Sequence, residues 1–423
     1  SLVFMVLCFP KDVWFRAIFM ATASYVAVLL HRRSLAYVTG SVIVALTTLP
    51  VPFVPRFEFS ACVIGGNRSL EASIFFSGWN VLRLVSVTVD LIDRPPSTRK
   101  NARKTVLHAL AYLLYFPGLI AGPVTNFDDF MTESYRPPTW NRKRFLEFLV
   151  RSTRVVIGYC AMEGFLRFAY VRSAALTPRW FFAQSGWTLA GIVYFSSLQF
   201  YLKYNFAYGL PSLFFWLDNV YEKHDLRPRC TTRIHTAANV WRYFDIGLYR
   251  WIVKYLYKAV VGDQWTAWHR FLGTSASFTF VLLWHTTQIH VVVWIAINYF
   301  LVMAEMICAR LAATAPVKSC SVMQGGSLGE TVLKGVLSAI NLVATYGSCF
   351  FFLSNYDIAS GAIKKLLVFP FPLLPVVLAL YCNAQVAMDI SDWERARQPN
   401  KVDQSVYEGE KLEALSSSPC LRR

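Results

Sequence analysis

The sequence predicts an all-α protein built around membrane helices, and three observations carry that expectation. Of 423 residues, 55% are hydrophobic and only 16% charged, against roughly 25% charged in a soluble globular domain. Apolar stretches recur near residues 15 to 30, 34 to 54, 73 to 92, 105 to 125, 145 to 170, 186 to 216, 273 to 307, 332 to 354 and 366 to 388. Each reaches or approaches the roughly 20 residues that cross a bilayer as a helix. The charge balance is +17, from 42 Lys and Arg against 25 Asp and Glu. In so apolar a chain that excess reads as basic loops held on the cytoplasmic side and not as a nucleic-acid partner.

Taken in order, the chain opens Ser1-Leu-Val-Phe-Met-Val-Leu7 without a basic leader region, which reads as an N-terminally truncated membrane protein and not as a signal peptide. Several stretches are long enough for two helices or a re-entrant pair, giving about ten membrane-embedded elements. His31-Arg-Arg33 and the run from Arg94 to Lys104 are predicted on one side of the bilayer. Residues 55 to 72 then fall on the other, where Asn67-Arg-Ser69 fits a lumenal glycosylation acceptor. Pro117, Gly118, Gly122 and Pro123 are predicted to break the helix that precedes them. A basic connector from Arg136 to Arg144 leads into a helix carrying Arg151, Arg154, Glu163 and Arg167, expected at an interface or facing the bundle.

After the span around 186 to 216, a polar loop from Leu217 to Arg229 delivers Cys230. The run from Ile246 to Tyr257 sets Arg250 and Lys254 four apart, which suits a helix lying along an interface with its cations snorkelling. Two long helices follow Val281. From Ser391 onward the chain is charged and Ser-rich and reads as a disordered cytoplasmic tail, leaving 1–390 as a single membrane-embedded domain. Nine scattered cysteines, with no CxxC pair, imply no disulfide framework.

Two titratable residues stand in apolar surroundings, Asp245 in Trp241-Arg-Tyr-Phe-Asp245 and His285 in Phe280-Val-Leu-Leu-Trp-His285. Ionisable groups at membrane depth are expensive and mark function, so the pair is expected to meet in a sheltered chamber. Desolvation favours the neutral imidazole that a general base needs. Each also has a plainer reading, His285 as a hydrogen-bonded helix residue and Asp245 as half of an ion pair with Arg242. A proton-relaying transporter and a non-catalytic scaffold remain open on these residues alone.

Trp241-Arg-Tyr-Phe-Asp245 with its Gly247-Leu-Tyr249 continuation, followed by Trp284-His285, resembles the membrane-bound O-acyltransferases. The likeness extends through Trp187-Thr-Leu-Ala-Gly191, Phe200-Tyr-Leu-Lys-Tyr204, Gly209-Leu-Pro-Ser-Leu213, Pro228-Arg-Cys230 and Leu110-Ala-Tyr-Leu-Leu-Tyr-Phe-Pro117. It implies a helical bundle around a central tunnel in the endoplasmic reticulum membrane. Acyl-CoA enters from the cytosol, and a secreted hedgehog-type protein with an N-terminal Cys is palmitoylated from the lumen; a lipid acceptor is the alternative. The resemblance gives His285 and Asp245 the catalytic roles, places Trp241 and Arg242 along the acyl-CoA channel, and makes Cys230 the ligand of a haem iron. The chain departs from the family pattern at Thr286-Thr287, where relatives carry glycines, and at Lys258-Ala-Val-Val-Gly262.

Overall fold

The structure is a computed structural model. It describes residues 11–48, 68–94, 102–119, 122–134, 140–169, 177–220, 227–263, 265–312, 314 and 327–397. The predicted glycosylation acceptor Asn67 and most of the second basic loop lie outside the described residues, as does the predicted tail beyond Arg397.

All regular structure among the described residues is helical. Helices α1 (Lys11–Leu29) and α2 (Arg33–Thr48) both pack on α3 (Arg68–Asp93). Arg33 pairs with Asp93, which sets the end of the first basic loop beside the start of the second. The stretch 105–125 does not continue as one helix. α4 (Ala102–Leu113) stops before a 3-10 turn at Phe116–Gly118, where Pro117 lacks an N–H to give a longer helix. An extended segment then leads into α5 (Phe127–Ser134).

Helix α6 (Arg142–Ala169) is followed by α7 (Pro178–Ala183) and α8 (Gly186–Leu217), and α6 packs along α8. Two cations of α6, Arg144 and Arg151, face the bundle, while Arg142 and Lys143 are exposed. Arg144 is buried with its guanidinium 4.5 Å over the Trp216 ring, and Arg151 lies 5.0 Å over the same ring. Leu149, Val156 and Ile157 are turned outward instead. Ser185 begins α8 by accepting the Thr188 N–H at 3.2 Å. Pro211 sits inside α8 against Gly122, whose φ of 141° belongs to glycine.

A 3-10 turn at Thr231–Arg233 leads to α9 (Ala237–Phe244) and α10 (Ile246–Trp251), then to a π-helical turn over Ile252–Tyr257 and α11 (Lys258–Val261). The predicted snorkelling helix over 246–257 is corrected here. The π turn rotates Lys254 inward, onto Asp90 of α3 at 2.8 Å and Asp128 of α5 at 3.2 Å. Tyr255 follows it, giving its hydroxyl to Asp90 at 2.8 Å while Tyr37 donates to the Tyr255 carbonyl at 2.7 Å. A buried carboxylate left without a cation is costly, and the wider turn brings the two together.

The last described helices are α12 (Ala267–His285), α13 (Ile289–Ala312), α14 (Leu328–Leu353), α15 (Tyr356–Leu366) and α16 (Leu373–Arg397). The apolar stretch 273–307 is thus two helices, parted at residues 286–288. Among the described residues three helical spans are long and apolar enough to cross a membrane: α13, α14 and Leu373–Glu394 of α16. α14 packs on α8, α13 and α16, and Leu342, Phe350 and Phe351 place it within the largest apolar core with Leu189, Val291 and Ile295. α16 runs through Ser391 to Arg397.

Candidate active site

Helix α9 starts at Thr236, whose Oγ1 accepts the Asn239 N–H at 3.2 Å. Two turns later the chain breaks at Asp245, which ends α9 and begins α10. Its Oδ1 accepts the Leu248 N–H at 2.9 Å, and its Oδ2 accepts the Tyr208 hydroxyl of α8 at 2.6 Å. The carboxylate therefore has both oxygens fixed. Gly247 lets this corner approach its neighbour: a Cβ there would lie 2.7 Å from the Val124 nitrogen, backbone that cannot yield.

His285 is the last residue of α12. Its ring stands edge-on to Trp294, centroids 5.4 Å apart, and to Phe352 at 5.1 Å. Trp294 also stacks on Trp241 of α9 at 5.4 Å, so one indole touches both the histidine and the helix that leads to the aspartate. The Trp241 Nε1–H donates to Asn298 Oδ1 at 3.1 Å, which fixes the ring's rotation.

Asp245, His285, Trp241 and Arg242 all line one cavity of about 660 Å³, within the roughly 300–1,000 Å³ of ligand pockets. Trp79, Trp284, Phe200 and Phe278 wall it, and Arg250, Lys254 and Lys258 add cations to its lining. Its lining thus offers both apolar surface and cationic groups. An imidazole, His285, and a carboxylate, Asp245, from separate elements both line the cavity.

Cys230 is not itself part of that lining, although the next residue, Thr231, is; it stands at the start of the 3-10 turn, half-buried. Its Sγ is 3.0 Å from Thr232 Oγ1 and hydrogen-bonded with Tyr201. Arg229 just before it stacks 4.0 Å over Tyr243, and Arg233 pairs with Glu394. A half-buried sulfur with hydroxyl groups beside it is chemically able to serve as a thiolate ligand, a role that needs one protein group.

Three participants went unmarked in the sequence. Asn298 and Glu305 are polar residues within the apolar run of α13, a detectable sign by the same reasoning that marked His285. Tyr208 gives no such sign, standing among the many aromatic residues of α8.

Residues 52–328 match the membrane-bound O-acyltransferase family. The chain belongs to that family. Among its relatives, the mouse protein-cysteine N-palmitoyltransferase HHAT is 25% identical over 72% of this chain and 62% of its own length. The fruit-fly protein-cysteine N-palmitoyltransferase Rasp is 26% identical over 66% of this chain and 55% of its own. The Saccharomyces cerevisiae membrane-bound O-acyltransferase GUP1 is 25% identical over 52% of this chain and 43% of its own. This membrane-bound O-acyltransferase chain thus spans less than two thirds of the relatives' lengths, and the matched region holds Asp245 and His285 alike.

Proposed function

We propose that the chain moves a palmitoyl group from palmitoyl-CoA to the amine of an N-terminal Cys on a secreted, hedgehog-type protein, within the endoplasmic reticulum membrane. The single observation that carries this reading is that His285 and Asp245, from separate helices, line one aromatic-walled cavity. The long helices α3, α6, α8 and α12 complete a membrane bundle with the three apolar spans, and the cavity is its tunnel.

The acceptor amine attacks the thioester carbonyl while His285 takes the proton from the attacking nitrogen. The C–S bond then breaks, an amide C–N bond remains, and the CoA sulfur leaves with the proton that His285 returns. Asp245, held by Tyr208 and the Leu248 N–H, supports the positive charge that develops on the attacking nitrogen and on His285 as the proton moves. The aromatic walls keep water from the thioester. Trp241 shapes the acyl path, and Arg242 offers a guanidinium to phosphate or to the thioester oxygen.

Haem fits Cys230 as its thiolate ligand, with Thr232 and Tyr201 beside the sulfur. Bound there it would supply an iron–thiolate bond at the start of the Thr231–Arg233 turn. The purified protein is expected to show a haem absorption band that vanishes in Cys230→Ala; an unchanged spectrum refutes the ligation.

The deciding assay incubates purified protein with labelled palmitoyl-CoA and a peptide beginning with Cys. The product is expected to be amide-linked, resistant to hydroxylamine and lost in His285→Ala. Equal labelling by both proteins removes the catalytic role from His285. The similarity to GUP1 supports a second reading, O-acyl transfer to a lipid, and a lysolipid acceptor labelled in place of the peptide would select it.

A further inference from the structure

Glu305 lies on the apolar span α13 and outside the lining of the cavity, so it does not reach the reacting groups. A carboxylate on such a helix is costly and calls for a partner. Its Oε1 accepts the Ala237 N–H at 2.6 Å and its Oε2 the Ala238 N–H at 2.9 Å. These are the first two amides of α9, which a helix cannot satisfy internally, and they sit at the positive end of its dipole. Arg242, one turn further along α9, adds electrostatic attraction to the same carboxylate.

The anchorage closes on itself. Asn341 of α14 donates to Glu305 Oε1 at 2.5 Å, and its Oδ1 accepts the Thr345 hydroxyl at 3.1 Å. The Ser348 hydroxyl donates to the Thr345 carbonyl at 2.7 Å and accepts from Asn298 Nδ2 at 2.8 Å. Asn298 Oδ1 then takes the Trp241 Nε1–H at 3.1 Å, returning to α9 one turn beyond its start. A short helix is thereby held at its first amides and at its tryptophan by one connected set of groups on α13 and α14. Its other end is Asp245.

We propose that Glu305 is a positioning residue for the transfer reaction: with Asn298 it clamps α9 so that Trp241 and Asp245 keep their places in the cavity wall. The inference rests on the acyltransferase reading for its kinetic consequence, and on geometry alone for the clamp. Glu305→Gln keeps the volume but puts an amide NH₂ against one of the two backbone donors. Glu305→Asp keeps the charge and shortens the reach.

Hydrogen exchange read by mass spectrometry on the full chain is expected to quicken about tenfold over residues 237–244 in Glu305→Gln, two N–H groups having lost an ionic acceptor. Exchange in α14 stays as in the wild type. In the acyl-transfer assay kcat falls by about a hundredfold, the scale of a small misplacement of reacting groups, with the smaller part of the effect in KM. Glu305→Asp recovers part of the rate. Should Glu305→Gln give no folded protein, Asn341→Ala removes only the side-chain partner of the same carboxylate and shows the same pattern in weaker form. Unchanged exchange over 237–244 overturns the clamp, and quickened exchange with an unchanged kcat overturns the positioning role. A wild-type chain that transfers no acyl group refutes the acyltransferase reading instead, and the exchange result then decides the clamp by itself.

Discussion

The two oxygens of Asp245 are held by groups of different kinds, a backbone N–H of its own corner and the Tyr208 hydroxyl of α8. Only the second can be removed by substitution. Tyr208→Phe takes away a charge-assisted hydrogen bond worth about 1.5–3 kcal/mol and leaves the buried ring in place. Its expected outcome is a folded protein with kcat lowered more than KM is raised, measured by steady-state transfer to the Cys peptide. An unchanged kcat would take Tyr208 out of the site. Asp245 and His285 were legible in the sequence because a carboxylate or an imidazole among aliphatic residues is costly and seldom stands there without a task. Tyr208 was not, since a tyrosine in an aromatic helix serves packing as readily as chemistry. What no pattern could give is the partner choice at Asp245: the sequence offers Arg242 three residues away, whereas the structure supplies Tyr208 from α8.

Elements that carry polar residues inward were the hardest to place. The run 246–257 has the spacing of a helix with two cations on one face, and that spacing assumes α-helical turns throughout. The π turn at Ile252–Tyr257 alters the register by widening the helix, so Lys254 and Tyr255 reach Asp90 instead of the bilayer surface. Nothing local to those residues announces Asp90, which lies on α3 and is 2% exposed. Substitution tests the same pairing. Lys254→Met leaves the buried Asp90 without its cation and is expected to cost about 2–3 kcal/mol, below the full range for a buried pair because the lysine is partly open to solvent. Thermal unfolding in detergent measures the loss. Adding Asp90→Asn to the lysine variant should recover part of it, as coupled sites do not add, and a double variant less stable than the sum of the singles would contradict the pairing.

Across the whole molecule, hydropathy located the spans of highest mean apolarity and understated those with more polar and charged residues. α13, α14 and α16 pass by length and composition. α3, which buries Arg83 and Asp90, and α8, rich in Tyr and Trp, put polar atoms where a bundle needs them and so read less clearly. The cavity they enclose has a direction along α14. Phe352 touches His285, and Cys349, Thr345 and Leu342 continue the lining away from it. Ten residues of helix from Phe352 to Leu342 rise about 15 Å, a path that takes the greater part of an extended long acyl chain. If that path holds the chain, its far end sets the length accepted. Leu342→Trp narrows the distal part at a cost of about 1–3 kcal/mol in packing strain without touching His285. It is expected to raise KM for palmitoyl-CoA by about tenfold, the equivalent of about 1.4 kcal/mol in binding, while transfer from an eight-carbon acyl-CoA stays close to that of the wild type. Kinetics across a series of chain lengths reads the effect directly. Equal losses for short and long donors would mean that the substitution disturbs the bundle as a whole, and a profile unchanged at every length would place the acyl chain elsewhere in the cavity.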